Sequence, residues 1–306
     1  EMCIRDRAET AQFSPERYPE IAAGITPENL QKHVAAFSSL PTRLTASDGA
    51  ERAAEYILHQ FRDLGVGEPV VREFPVVVPV YTRAELRTER GAYLLHPLYP
   101  NGVCPAAVLE GGLKTRLVYA GFGRLGDVEG KELENATVVV ETGGRENWLF
   151  LVDLGAHAIV FIEHEKPARS MDYFTQTGSH QNVPRFWMTA EEGAPLLKRL
   201  RQGDLEATLF SDARWELRRG KNLWVEVPGV SDAPRNKEEI VILHAYYDSS
   251  SFVPDLAPGA EQACGIAALL ELGKVLRDHP LRKRVRLLAT SGHFQGLEGV
   301  RRYVWD

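Results

Sequence analysis

The chain has 306 residues, 44% of them hydrophobic and 25% charged. That is length enough for one large domain or two moderate ones with ample core, and an ordinary globular composition. A net charge of −6 excludes nucleic acid or an anionic membrane surface as the main partner, and no apolar run approaches the roughly 20 residues that span a bilayer.

In chain order, Glu1–Arg7 (EMCIRDR) reads as the translation of a sequencing-library adapter and is set apart from the fold; a native coding context upstream of Ala8 would overturn this. Cys3 goes with it, and Cys104 and Cys264 are too few for a disulfide framework. Thr26-Pro27-Glu28 predicts a helix start, with a capping hydroxyl, proline at the first helical position and an acid in the first turn. Leu30, Val34 and Phe37 then recur at helical spacing. A second amphipathic helix is predicted over about 50–64, with Ala53, Ala54, Ile57, Leu58, Phe61 and Leu64 on one face and Gly65 closing it. Residues 70–80 are β-rich, and from about Tyr81 to Arg219 the texture changes to short strands and glycine-rich turns.

Ile240–Ala245 is a continuous apolar run, as expected of a strand buried on both faces of a parallel sheet. Ile266–Leu276 reads as a helix with Ile266, Leu269, Leu270 and Leu276 inward, and Val285–Ala289 as the next buried strand. Strand, helix, strand in this span predicts a right-handed crossover, with ligands gathering beyond the carboxyl ends of the strands. Other chemistries find little support. Gly121-Phe122-Gly123 lacks a strand–helix setting, Gly292–Gly299 carries no Walker lysine, and no Gly-x-Ser-x-Gly elbow occurs. Arg282-Lys283-Arg284 reads as a solvated loop.

The segments EEIVILHAYYDSS, LAPGAEQACGIAALLELGKVL and RVRLLATSGHFQGLEGVRRYV resemble the core of the co-catalytic di-zinc aminopeptidases, the M-28 peptidases. The resemblance takes in Asn222–Gly229 and the Arg43 turn before the second helix. It implies an α/β fold: a three-layer αβα core with a mixed, mostly parallel sheet, truncated at its C-terminal end. LVYAGFG, ELENATVVVETGG and GAHAIVFIE resemble the small β-rich protease-associated insertion common in that family, with Gly130-Lys131, Val138–Val140, Gly155–Phe161, Val183-Pro184 and the helical Ala190–Leu200 in its places. The implied division is 8–80 and 220–306 for the peptidase-like core and 81–219 for the insertion.

The same resemblance places the site. With Tyr247-Asp248-Ser249 aligned on the family's Tyr-Asp-Ser, Tyr246 stands where the first ligand histidine belongs, and Asp248 where an aspartate orients that histidine. Gln262 takes the place of the bridging aspartate, His293 that of the general-base glutamate and Phe294 that of a ligand glutamate. These are unsuitable as ligands. A phenol must first lose a proton with a pKa near 10, an amide offers one neutral oxygen, and a phenyl ring offers nothing.

His244 shares the strand face of Tyr246 but sits roughly 6.6 Å deeper, and reads as a satisfied core histidine before a substitute ligand. Glu261 reads as a helix N-terminal acid, or as the bridge if the register shifts. Cys264 reads as a small packed residue, and His293 as a polar lining of a vestigial cleft, though an imidazole can serve as a base. The remaining family ligands, an aspartate and a histidine, are expected beyond Asp306.

The reading that follows is a peptidase-fold protein without zinc-dependent activity, acting as a binding or assembly module. It expects no cofactor, a peptide or protein ligand in the cleft, and an extracytoplasmic or secreted location. The alternative is an active zinc aminopeptidase with an atypical set, using His244, Glu261 and His293 plus residues further along the chain. A third reading is an extracytoplasmic module of a larger membrane protein. Oligomeric state is not legible.

Overall fold

The computed structural model describes residues 19, 22–99, 105–164, 182–230 and 239–305; Glu1–Arg7, Cys104 and Asp306 lie outside them. The helices are α1 (Pro27–Ser38), α2 (Asp48–Asp63), the short α3 (Leu125–Val128), α4 (Asn147–Asp153), α5 (Ala190–Leu200), α6 (Cys264–Asp278) and α7 (Glu298–Trp305). The strands are β1 (Val70–Thr88), β2 (Gly91–Leu94), β3 (His96–Pro97), β4 (Leu113–Tyr119), β5 (Thr137–Glu141), β6 (Ala158–Ile162), β7 (Arg185–Met188), β8 (Leu205–Val227), β9 (Ile240–Tyr246) and β10 (Arg284–Thr290). They form two compact units. One holds the chain up to Val76 with 219–249 and 258–306, the other 77–218 with 250–257. β1 and β8 each begin in one unit and end in the other.

In the first unit, the local signals act as read. Thr26 Oγ1 accepts from Asn29 N at 3.2 Å to start α1; α2 starts two residues before the predicted 50, where Ser47 Oγ, not singled out in the sequence, accepts from Ala50 N at 3.2 Å. Gly65 takes the left-handed φ of 66° that ends α2. The Ala53, Ala54, Ile57 and Phe61 face of α2 packs with Phe37 of α1, Ile266, Leu269 and Leu270 of α6, and the Val225, Leu287 and Ala289 side of the sheet. Each of these fully buried Ile, Leu or Phe side chains contributes about 1.5–3 kcal/mol. β9 runs parallel to β10 (Ile240 opposite Arg284, Tyr246 opposite Thr290), and β10 antiparallel to β8 (Val285 opposite Val227).

One expectation is corrected here. β9 is not buried on both faces, since Val241 and Ile242 are 37% and 43% exposed. Among the described residues β9 pairs with β10 alone and so forms an edge of the sheet. On α1, Leu30 and Val34 are only partly buried, and the side chains fully inside are His33 and Phe37. His33 owes its place to a polar network: Nε2 lies 2.9 Å from Glu271 Oε1 and Nδ1 2.7 Å from Tyr56 Oη. Asn29 Nδ2 donates to Glu271 Oε2 at 3.1 Å and Lys274 Nζ donates to Oε1.

The second unit is built on the parallel run β4–β5–β6–β7, with β3 antiparallel on β7 and β8 antiparallel on β4. β5 (TVVVE) and β6 (AIVFI) are buried at every position, as strands covered on both faces must be. Leu196, Phe186 and Leu209 pack in one core, and Trp148, Phe161 and Trp187 in another that Val253 joins.

Candidate functional site

The residues singled out in the sequence converge at the carboxyl ends of the parallel pair β9–β10, within the first unit. Tyr246 ends β9, His293 and Phe294 follow β10, and the 258–263 loop leads into α6. What meets there is an aromatic cluster. The Tyr246 and His293 rings stack at 3.9 Å with 19° between their planes. Phe294 stands edge-on to both, 5.8 Å from Tyr246 at 83° and 4.9 Å from His293 at 78°. Such edge-to-face and stacked pairs add about 0.5–1.5 kcal/mol each beyond burial.

Beside the cluster lies Asp248, 0% exposed. Its Oδ2 accepts from Thr45 Oγ1 at 2.6 Å and from His293 N at 3.0 Å. Oδ1 is buried without a partner. Burial pushes this carboxyl above the ordinary carboxylate range, and the Thr45 and His293 hydrogen bonds offset the effect only in part. Thr45 Oγ1 also lies 2.6 Å from Gln295 Oε1 and accepts from Gly292 N at 3.3 Å. A hydroxyl has one hydrogen and faces two acceptors here. Turning the Gln295 amide, whose Nε2 is otherwise buried without a partner, puts a donor on Thr45 Oγ1 and leaves the hydroxyl to donate to Asp248. Sequence reading gave no role to Thr45 or Gln295.

Arg43 braces the loops. It is 0% exposed, and its guanidinium meets main-chain carbonyls: Nε donates to Tyr247 O at 2.9 Å, Nη1 to Phe37 O at 3.0 Å and to Pro258 O, and Nη2 to Gly259 O at 3.1 Å. Arg43 N donates to Ser249 Oγ at 2.9 Å and Ser249 N to Arg43 O at 3.0 Å. Burial brings its pKa down to about 10, which leaves it charged at neutral pH.

The other candidates do not join the cluster as ligands. His244 is exposed and not a core residue; its Nε2 lies 2.7 Å from Thr290 Oγ1. Burial of the ring, and then His293 nearby, hold His244 below the usual imidazole range. Glu261 and Gln262 sit in the single 3₁₀ turn Glu261–Ala263, Glu261 exposed and Gln262 half-buried. Cys264 is exposed at the start of α6, not packed, with Sγ 3.6 Å from Ala260 O.

Whether zinc fits can be judged from these side chains. Tyr246, His293 and Phe294 spend their rings on one another, the place that the resemblance gives to a bridging aspartate holds an amide, and burial raises the pKa of Asp248. Among the described residues, no three His, Cys, Asp or Glu side chains stand close enough to hold a metal ion together. These residues do not fit a zinc pair.

Residues 224–305 match the family model described as Peptidase family M28. Among solved structures, a zinc aminopeptidase from Bacillus subtilis is similar at 20% identity and a TM-score of 0.60, covering 90% of this chain and 64% of its own. A peptidase M28 precursor from Shewanella amazonensis is similar at 16% identity and a TM-score of 0.55, covering 93% of this chain and 69% of its own. No curated protein matches the chain. The chain thus has the α/β aminopeptidase-like fold and spans about two thirds of the length of these structures.

Proposed function

With the M28 peptidase assignment of residues 224–305 as premise, we propose that the chain uses the peptidase fold as a binding or assembly module and does not run zinc-dependent aminopeptidase chemistry. The observation that carries this reading is the Tyr246–His293–Phe294 cluster, in which rings stand where the family resemblance puts two ligands and a base. A peptide or protein segment is the ligand class such a cleft takes, because aromatic faces and partly exposed rings recognise side chains without needing a metal. Phe294 is 36% exposed and Leu297, in the same turn, 46%. The second unit is proposed as a protease-associated insertion, and an extracytoplasmic location goes with the same family reading. No helix among the described residues is long and apolar enough to cross a membrane.

Elemental analysis after incubation with zinc and removal of excess tests the proposal, alongside hydrolysis of aminoacyl chromogenic substrates with and without chelator. Expected are near-zero zinc per chain and no chelator-sensitive hydrolysis. Close to two zinc ions per chain with such hydrolysis would return the protein to the active aminopeptidases.

A further inference from the structure

His96, in β3 of the second unit, stands between two carboxylates. Its Nε2 is 3.3 Å from Glu192 Oε1 and its Nδ1 3.5 Å from Asp255 Oδ2, with the imidazole side chain 11% exposed. A carboxylate can only accept, and a neutral imidazole has one N–H. One contact would therefore set lone pair against lone pair, whereas the imidazolium donates to both. The two carboxylates differ in how they are held. Glu192 belongs to the capping box of α5, its Oε2 accepting from Thr189 N at 2.9 Å and from Thr189 Oγ1 at 2.8 Å. Asp255 lies in the 3₁₀ turn Pro254–Leu256, within the segment 250–257.

That segment has its own anchors: Tyr99 N donates to Phe252 O at 2.7 Å and Val253 packs in the core. Its flanks are Asp248-Ser249 and Pro258-Gly259, the two loops of the candidate site. We propose that His96 is a proton-operated latch, which as imidazolium ties the 250–257 segment through Asp255 to the start of α5 and on losing its proton lets that segment loosen.

The groups around the latch are accounted for. α5 contributes Glu192 and the 3₁₀ turn contributes Asp255. β7, paired with β3, contributes Arg185, whose buried guanidinium lies over the Trp148 ring. Tyr81 donates to Leu98 O beside β3, and burial holds its phenol far above neutrality, so it does not titrate here. Burial alone would lower the His96 pKa, but the bonds and charges of Asp255 and Glu192 outweigh it and the net shift is upward. A histidine raised on folding stabilises fully below about pH 6.5, and that stabilisation is lost as pH rises through the higher folded value.

Hydrogen exchange by mass spectrometry, corrected for intrinsic rates, tests the latch between pH 5.5 and 8.5. Peptides covering Tyr99 and 250–257 in the wild-type protein should lose protection by about three- to ten-fold as pH rises. His96→Gln should be flat at the high-pH level, and Asp255→Asn should lose most of the step while keeping its circular dichroism spectrum. Should His96→Gln fail to fold, the comparison of wild type with Asp255→Asn decides alone. A pH-independent wild type, or a full step surviving in either variant, overturns the proposal. Because the readout is protection and not activity or metal content, the outcome is independent of whether the chain proves to be an aminopeptidase.

Discussion

Arg43→Ala is the sharpest test of how the site is held together. The guanidinium is 0% exposed and donates to the carbonyls of Phe37, Tyr247, Pro258 and Gly259. Removing it takes a charged donor from carbonyls at the end of α1, the strand end before Asp248 and the loop before α6, although Phe37 O keeps Leu40 N at 3.3 Å and Gly259 O keeps Ala263 N at 3.0 Å. A hydrogen bond from a charged donor contributes about 1.5–3 kcal/mol net, and an orphaned buried acceptor costs about 1–3 kcal/mol. The bonds share one group and water can enter the vacated space, so simple addition overshoots. The expected loss is about 3–5 kcal/mol, read as a lowered urea midpoint by circular dichroism, with a fall in melting temperature on the order of 10 °C. Arg43→Lys should lose about 2 kcal/mol less than Ala, since an ammonium keeps the charge but cannot fork to all four carbonyls. A loss below about 1 kcal/mol in Arg43→Ala would refute the reasoning, because the carbonyls would then be served as well by water.

Gly299→Ala should be among the most destabilising single-methyl additions, by at least about 3 kcal/mol, because its Cβ would fall 2.1 Å from Ser291 O and 2.7 Å from Asn222 Oδ1; a thermal melt unchanged within 2 °C would contradict this. For the His33–Glu271 pair, burial holds His33 below the usual imidazole range. Burial alone would raise Glu271, but the bonds from Lys274, His33 and Asn29 outweigh it and draw it down. Both groups bind fewer protons folded than unfolded, so this network loses stability as pH falls through about 6.5 and on into the carboxylate range. Urea midpoints from pH 7.5 to 5 should fall in the wild type and fall less steeply in His33→Asn. The pair Tyr246→His with Gln262→Asp should not restore zinc-dependent turnover, since Phe294 and His293 still occupy a ligand place and the base place; chelator-sensitive hydrolysis by the double variant would count against the site reading.

Much of the fold is legible because its signals are local. The cap at Thr26 and the α2 face from Ala53 to Phe61 need only periodicity and turn chemistry. What fails is whatever depends on neighbours far along the chain. The run IVILHA reads as a doubly covered strand, yet coverage depends on what packs on each face of the sheet, and Val241 and Ile242 stay 37% and 43% exposed. His33 and Glu271 are 238 residues apart, and Thr45 reaches Gln295 across 250; no spacing rule announces such pairs. The residue types at 246, 262, 293 and 294 could be named from the motif frame, but their stacking rests on the register that sets Tyr246 opposite Thr290.

Electrostatics explains why these substitutions hang together. A pair of zinc ions permits several carboxylates to crowd one cleft, because their mutual repulsion and desolvation are offset by four positive charges. Without metal, the same carboxylates would face one another in a low-dielectric setting and force their pKa values upward. Among the described residues, the places that the resemblance matches to that set carry a phenol, an amide, an imidazole and a phenyl ring. The one acid that stays, Asp248, is the group burial drives towards protonation, with Oδ1 unpartnered and Oδ2 fixed by Thr45 and His293. Asp248 Oδ2, accepting from Thr45 Oγ1 and His293 N, ties down the turn after β10 that presents His293 and Phe294.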